Sequence, residues 1–589
     1  MVTALIVLLV PTGTRAELPA VLSREDLRPG MRGEVHTVYQ GSLQERVPLE
    51  VLGLAPGFAG PGRDVIVARL EGPLADKAGV VSGMSGSPVF IDGKLVGALS
   101  YRIGAFSKEA LAGITPIQDM LSIPGGALSD PEGAMDSTVT MARAELAPLF
   151  GLTAWSQRRP SRQHQASTPL AVGGAVDGLS HLFAPILEAS GLGPWTAAMV
   201  GDDARQDGTL HAGDPVAAVL VGGDMTVAGT GTVTLVDGHR VLALGHPLVR
   251  AGAIDFPMAR ATILATVPSL AASFKMSRIG ATVGAFQQDR TAGLAGRLGA
   301  EARMIPVHLQ VSGPAEEQIA EMNFDLVRAP YLAPALLEMI IANAILSHDL
   351  GGMNGSVTLT GKVRLGELPA TTVNICASGI PGSPPAALLV ARHAATVFSA
   401  LRLSPYAGDL DMAVDLQMSI TPHLHFLAID EARLDRAWAR PGQSVQITAL
   451  LRDVAGGRLL SRSFSFQVPD VAAGTVLHLM VGDGPALARI QGEAGLIAVR
   501  LAGSGEALTR ALSAIPSNRD LHLWVGRKAP GLVLGAEPLP GLPPSVSRIM
   551  ERDGTSRDHQ QLAHQQLYLD KQQQEGVVSG SATLQLEVR

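Results

Sequence analysis

The sequence predicts a mainly β, multidomain protein, and three observations carry that expectation. The chain has 589 residues and 46% hydrophobic content, enough for several domains with real cores. Aromatic residues make up only 4%, whereas 66 glycines and 39 prolines supply many turns, so interiors built from Val, Leu and Ala are expected. Short apolar runs recur between Gly, Pro and Asp-Gly punctuation, the pattern of strands joined by tight turns.

Composition also excludes several classes. Net charge is −7 with no basic block, so nucleic acid is not an expected partner. The lone Cys376 rules out an intramolecular disulfide and any cysteine-rich metal site, and reads as a small buried apolar residue. His423 and His425 share one face of a strand, but no third ligand accompanies them. Neither a metal nor a cofactor is expected. Residues 2–10 are apolar and lead to Thr14-Arg15-Ala16, which predicts a signal peptide over 1–16. The chain is then exported, to a periplasmic, cell-envelope or extracellular location. No transmembrane span is expected, because the runs at 331–346 and 385–401 are broken by Glu338 and by Arg392-His393.

Taken in order, Val35–Tyr39, Val47–Leu52 and Asp64–Leu70 read as strands. Val89-Phe90-Ile91, Asp92-Gly93 and Leu95–Leu99 form a hairpin signal, and a short helix is expected at Ile117–Leu121. Ser156–Gln165 is polar and aperiodic and reads as a linker. Leu179–Leu192 contains a helix. Val216–Val221 and Gly229–Val236 are strands, and Asp237-Gly238 turns the chain into His239–Leu244. The stretch Gly284–Arg290 suits a cleft but dictates no chemistry. Helices are expected at Tyr331–Leu346 and from Pro385 to about Leu403, with an alternating strand at Ser356–Leu365 between them. From residue 426 onward, spaced strands such as Ser444–Arg452 and Arg462–Val468 suggest an immunoglobulin-like β-sandwich. Residues 556–575 are rich in glutamine and read as a helix or exposed arm, and Val577–Val588 as closing strands.

The stretch that bears chemistry is Gly83-Met84-Ser85-Gly86-Ser87-Pro88. A serine held between glycines on a tight turn presents its hydroxyl with little steric cover. Backbone N–H groups can converge there on a developing oxyanion. The competing reading is a glycine-rich turn with a buried serine. Downstream, Ala243-Leu244-Gly245-His246-Pro247 places a histidine at a strand end.

These two motifs, with Gly93-Lys94-Leu95-Val96-Gly97-Ala98 and Gly231-Thr232-Val233-Thr234, resemble the SpoIVB-type serine peptidases, relatives of the trypsin-like serine proteases. The resemblance covers about 30–125 and 209–300. It implies a trypsin-like two-barrel serine endopeptidase without cofactors, with Ser85 as nucleophile and His246 as general base. It also implies the N–H groups of Gly83 and Ser85 as oxyanion donors. The chain departs from the family in three ways. Ser85 precedes His246, whereas the family runs from histidine to serine, so a circular permutation is expected. No PDZ segment precedes the domain. The family's aspartate position falls near Leu70 and Glu71, which leaves Glu71 as the triad acid, with Asp224 and Asp64 as alternatives. The expected domains are a serine-bearing barrel half over 17–125, a linker over 126–168 and a histidine-bearing half over 169–300. An α/β extension over 301–425, a sandwich over 426–530 and a C-terminal arm with closing strands over 531–589 follow. The expected partners are a protein substrate, which includes the chain itself, and an envelope protein bound through the sandwich. A catalytically inactive protease-like scaffold is the alternative function.

Overall fold

The computed structural model describes residues 19–589 apart from 105–106, 126–167, 190–191, 202–208, 271, 315–316, 349–354, 380–384, 409, 492–498, 500–501, 535–536 and 553–558. The expected signal peptide and nearly all of the expected linker lie outside the described residues. The protein is mainly β, with 52% strand against 17% helix. Its described residues form two compact units. The first runs to residue 125, resumes over 168–174 and continues over 180–303; the second takes 175–179 and 304–589.

Six strands of the first unit close into a barrel: β1 (Arg32–Val38), β2 (Gln44–Ala55), β3 (Val65–Leu70), β4 (Pro88–Ile91), β5 (Lys94–Arg102) and β6 (Leu111–Pro116). Their order is β1-β2-β3-β6-β5-β4, and β4 returns to β1 with Val35 opposite Val89. Alternation sends Val35, Leu49, Ile66, Val89 and Leu99 inward, where all are essentially fully buried. Each such side chain contributes roughly 1.5–3 kcal/mol. Asp92 and Gly93 both take positive φ, +50° and +75°, the backbone that a two-residue hairpin turn of matching twist requires. The short helix forms at Ile117–Leu121, as the sequence predicts.

The same unit continues with β7 (Thr168–Gly173), β8 (Leu192–Ala197), β9 (Met199–Val200), β10 (Pro215–Gly223), β11 (Thr226–Asp237), β12 (Arg240–Ala243), β13 (Gly252–Val267), β14 (Phe274–Arg290) and β15 (Gly293–Leu298). Pairing runs β10-β13-β14-β15-β12-β11 and returns from β11 to β10, so these six strands also form a closed ring. β7 and β8 add to β11 on its outer side, and β9 lies parallel to β14. Between the two rings is a shared core. Leu95, Ala98, Ile117 and Met120 of the first meet Leu235, Leu242 and Ala295 of the second.

In the second unit, Met304–Ser312, Gln318–Val327, Ser356–Leu365, Thr371–Ser378 and Met412–Thr421 form one sheet, accompanied by helices Ala333–Leu346 and Ala386–Arg402. Beyond residue 425 two further sheets share one core. Val445, Ile447 and Phe464 from one pack with Leu479, Leu523 and Leu586 from the other. The glutamine-rich stretch is a correction to the sequence reading. His559–Gln573 is a strand paired along Asp520–Leu534, neither a helix nor a free arm. Its Leu567 and Tyr568 side chains pack on the common core. Among the described residues, no helix is long and apolar enough to cross a membrane.

Candidate active site

Ser85 occupies the first corner of a four-residue turn. The Ser87 N–H donates to the Met84 carbonyl at 2.9 Å, and Gly86 takes φ +97°, as a type II turn demands at its third position. The turn is tied down on three sides. Met84 is fully buried in the first barrel's core. The Gly86 N–H donates to the Leu99 carbonyl at 2.8 Å, and the Leu99 N–H to the Ser87 carbonyl at 2.9 Å. From the second ring, the Thr232 N–H donates to the Ser85 carbonyl at 2.8 Å. The Thr232 Oγ1 reaches the Gly83 carbonyl at 3.1 Å, and the Thr234 Oγ1 the Gly86 carbonyl at 2.7 Å. Gly86 is required by this approach, because a Cβ there would lie 2.0 Å from the Thr232 carbonyl oxygen.

Every carbonyl of Gly83–Gly86 except one therefore has a partner from the neighbouring ring, whereas the donors do not. The Ser85 Oγ is buried with no hydrogen-bond partner. Among the described residues, the N–H groups of Gly83 and Ser85 also donate to no acceptor. Three unsatisfied polar groups in one buried turn each carry a desolvation cost of about 1–3 kcal/mol. The serine is 0% exposed, which corrects the expectation of an uncovered hydroxyl, and β11 lies against the carbonyls of its turn.

His246 is also 0% exposed. It follows Leu244 and Gly245, both in the left-handed region with φ of +68° and +69°. For a leucine that backbone is strained. The Thr115 Oγ1 donates to the Gly245 carbonyl at 2.7 Å, so the first barrel grips the segment just before the histidine. A Cβ at Gly245 would lie 2.2 Å from the Ser100 Oγ, and one at Gly86 would lie 2.5 Å from the Leu244 nitrogen. The serine and histidine segments thus touch through their neighbours. The His246 Nδ1 lies 2.9 Å from the Pro247 carbonyl oxygen. A carbonyl only accepts, so Nδ1 carries the proton and Nε2 keeps its lone pair, the tautomer a general base needs.

Of the three carboxylates proposed from sequence, Glu71 and Asp64 are engaged elsewhere. Glu71 follows β3, is one-third exposed and stands 3.7 Å from Arg32. Asp64 accepts the Gly57 N–H at 3.0 Å and stands 3.9 Å from Arg24. All their partners belong to the first barrel and neither bonds to the imidazole. Asp224 sits exposed in the turn between β10 and β11. The carboxylate beside the histidine loop is Asp289 of β14, which sequence reasoning missed. Its oxygens accept the N–H groups of Leu248 and Val249 at 2.8 Å each and of Ala251 at 3.1 Å. It holds the loop in which Arg250 takes φ +61°. Burial pushes its carboxyl above the ordinary value, and the backbone donors oppose that shift. Its place in Gly284–Arg290, the stretch suited to a cleft, was the only signal available.

No family model, no curated protein and no solved structure matches this chain.

Proposed function

We propose that the chain is an exported serine endopeptidase acting by acyl transfer on protein substrates, itself included. One observation carries the reading: the Ser85 hydroxyl and the N–H groups of Gly83 and Ser85, all without partners among the described residues, lie within three consecutive residues. Buried polar groups normally find partners, and a set left open is what a transient oxyanion would fill. Ser85 Oγ would attack the scissile carbonyl while His246 Nε2 takes its proton, a transfer that requires the two atoms, which are not hydrogen-bonded to each other in this structure, to come within reach. The N–H groups of Gly83 and Ser85 would receive the oxyanion, and the imidazolium would return the proton to the leaving amine. Water would then release the acyl group by the same route. The Pro247 carbonyl would orient the imidazole, a task usually given to a carboxylate.

Two closed six-stranded rings, one bearing the serine and the other the histidine, support a circularly permuted trypsin-like core. The triad is defined by positions and roles, so chain order is free. The two C-terminal sheets around one core support an immunoglobulin-like module that binds an envelope partner.

A second reading, the inactive protease-like scaffold, is favoured by the burial of both Ser85 and His246. Labelling with a fluorophosphonate separates the two. The peptidase reading expects covalent modification of the wild-type chain that disappears in Ser85→Ala. A folded wild-type chain that never reacts is the scaffold.

A further inference from the structure

Lys275 of β14 is 1% exposed, yet it forms no ion pair among the described residues. Buried lysines are ordinarily paired with a carboxylate. Among the described residues the Nζ donates one side-chain hydrogen bond, to the Thr37 Oγ1 of β1 at 2.9 Å. From Thr37 the contacts continue around the nucleophile turn. The Ser87 Oγ lies 3.0 Å from the Thr37 Oγ1 and 3.4 Å from the Thr232 Oγ1, which in turn donates to the Gly83 carbonyl at 3.1 Å. The circuit closes back on the lysine. Its N–H donates to the Ser82 carbonyl at 3.0 Å, and its stem covers Gly83 so closely that a Cβ there would lie 3.2 Å from the Lys275 Cβ and Cδ. Lys275, Thr37, Ser87, Thr232 and Gly83 thus form one buried ring around Ser85, made only of hydroxyls, carbonyls and one amine.

We propose that Lys275 is a positioning residue of this site: its uncharged amine closes the ring that holds Gly83–Ser87 in oxyanion-binding geometry, and protonation of the amine opens it. The Nζ donates to the Thr37 Oγ1, a bond that either form of the amine can make, so what opens the ring is charge. An ammonium here would be a full charge, buried among hydroxyls and carbonyls, with no ion-pair partner among the described residues. Burial lowers the amine to about 7 from its ordinary 10.5. Thr37 and the 82–87 turn present no ionisable group to it. Glu45 of β2 is the charged group whose field reaches it, and that field favours the ammonium. The catalytic half of this inference rests on the peptidase reading, whereas the charge state of the amine does not.

The test follows fluorophosphonate labelling rate against pH in the full chain. In the wild type both His246 and Lys275 must be deprotonated for acylation, so the logarithm of the rate falls on the acid side with a limiting slope of two per pH unit. Lys275→Met keeps the stem but removes both the amine and its ionisation, so labelling is lowered at every pH and the acid limb that remains has a slope of one. Profiles of equal slope would overturn the proposal. Glu45→Gln, a substitution on a partly exposed strand position, moves the wild-type acid limb to lower pH, and an unmoved limb counts against it.

A second arm needs no acylation. The unfolded chain binds a proton at Lys275 that the folded chain does not hold between about pH 7 and 10, so stability rises with pH across that window. The wild-type unfolding constant should fall by roughly several hundredfold relative to Lys275→Met over that interval. Equal pH dependence would overturn the uncharged amine. A wild type that never labels but shows this difference breaks the peptidase reading and leaves the locked ring standing.

Discussion

The two rings of the first unit are built from different residues. The first is filled with large aliphatic side chains, Val35, Leu49, Ile66, Val89 and Leu99 among them, and Met84 of the serine turn is anchored in the same core. In the second, Ala217, Ala228, Ala259 and Ala261 cluster together, and β11 runs Thr-Val-Ala-Gly-Thr-Gly-Thr-Val with every one of those residues buried. On β11 the glycines and threonines are set by its close approach to the serine turn. A Cβ on Gly231 would lie 2.9 Å from the Leu244 Cδ1 and 3.0 Å from the Ser85 carbonyl oxygen. Glycine admits the backbone there, and threonine supplies hydroxyls at the right height. One ring holds the turn by apolar packing, and the other meets its carbonyls with small polar residues. The candidate site therefore belongs to the contact between the rings and to neither ring alone.

That division of labour can be broken in stages. The largest effect is expected at the nucleophile. Ser85→Ala should lower peptide hydrolysis and labelling by about 10⁶-fold, to background. Activity retained within about tenfold would move the chemistry to another residue. Next comes the close approach. Gly86→Ala combines a left-handed backbone with a Cβ set against the Thr232 carbonyl, and should cost about 3 kcal/mol or more in urea unfolding. Gly93→Ala shares the positive φ, +75°, but meets nothing within 4 Å, and should cost only about 1–2 kcal/mol. Equal costs would mean that the ring-to-ring contact adds nothing.

Asp289→Asn tests the histidine loop. The amide keeps one acceptor oxygen where the carboxylate uses two, so about 1–3 kcal/mol of stability should be lost. Displacement of His246 by about 1 Å should slow labelling about a hundredfold. The folded carboxyl sits above its ordinary value, so the native state binds this proton more readily than the unfolded state. Its contribution to stability therefore declines as pH rises from the ordinary carboxylate value through the raised one, and the asparagine variant should lack that slope. The smallest effect is expected for Thr234→Val, which removes the 2.7 Å bond to the Gly86 carbonyl and should cost about 1 kcal/mol. A loss above about 3 kcal/mol would show that the second ring, and not the packed first ring, holds the turn.

Much of the local structure was legible in the sequence. Asp92-Gly93 marks its own hairpin, because few residue pairs accept two positive φ values. Ile117–Leu121 and Ser356–Leu365 form over the residues their patterns mark. The Gly83–Ser87 turn follows from its glycines. The glutamine-rich stretch misled because its strand character depends on pairing with Asp520–Leu534, a partner that its own polar composition does not announce.

The sequence by itself determined which segments pair as strands, where the chain turns and which serine sits between glycines, since periodicity and φ preference act within a few residues. Only the tertiary structure decided what surrounds that serine. It brought Thr232 onto a turn some 145 positions away and Lys275 onto Thr37 across 238 positions, and it set Asp289 under the loop after His246 in place of a carboxylate near β3. Contacts of that range are fixed by how two closed rings pack against each other. The pattern within any one strand carries no record of it, because the same alternation would serve a ring packed against a different neighbour.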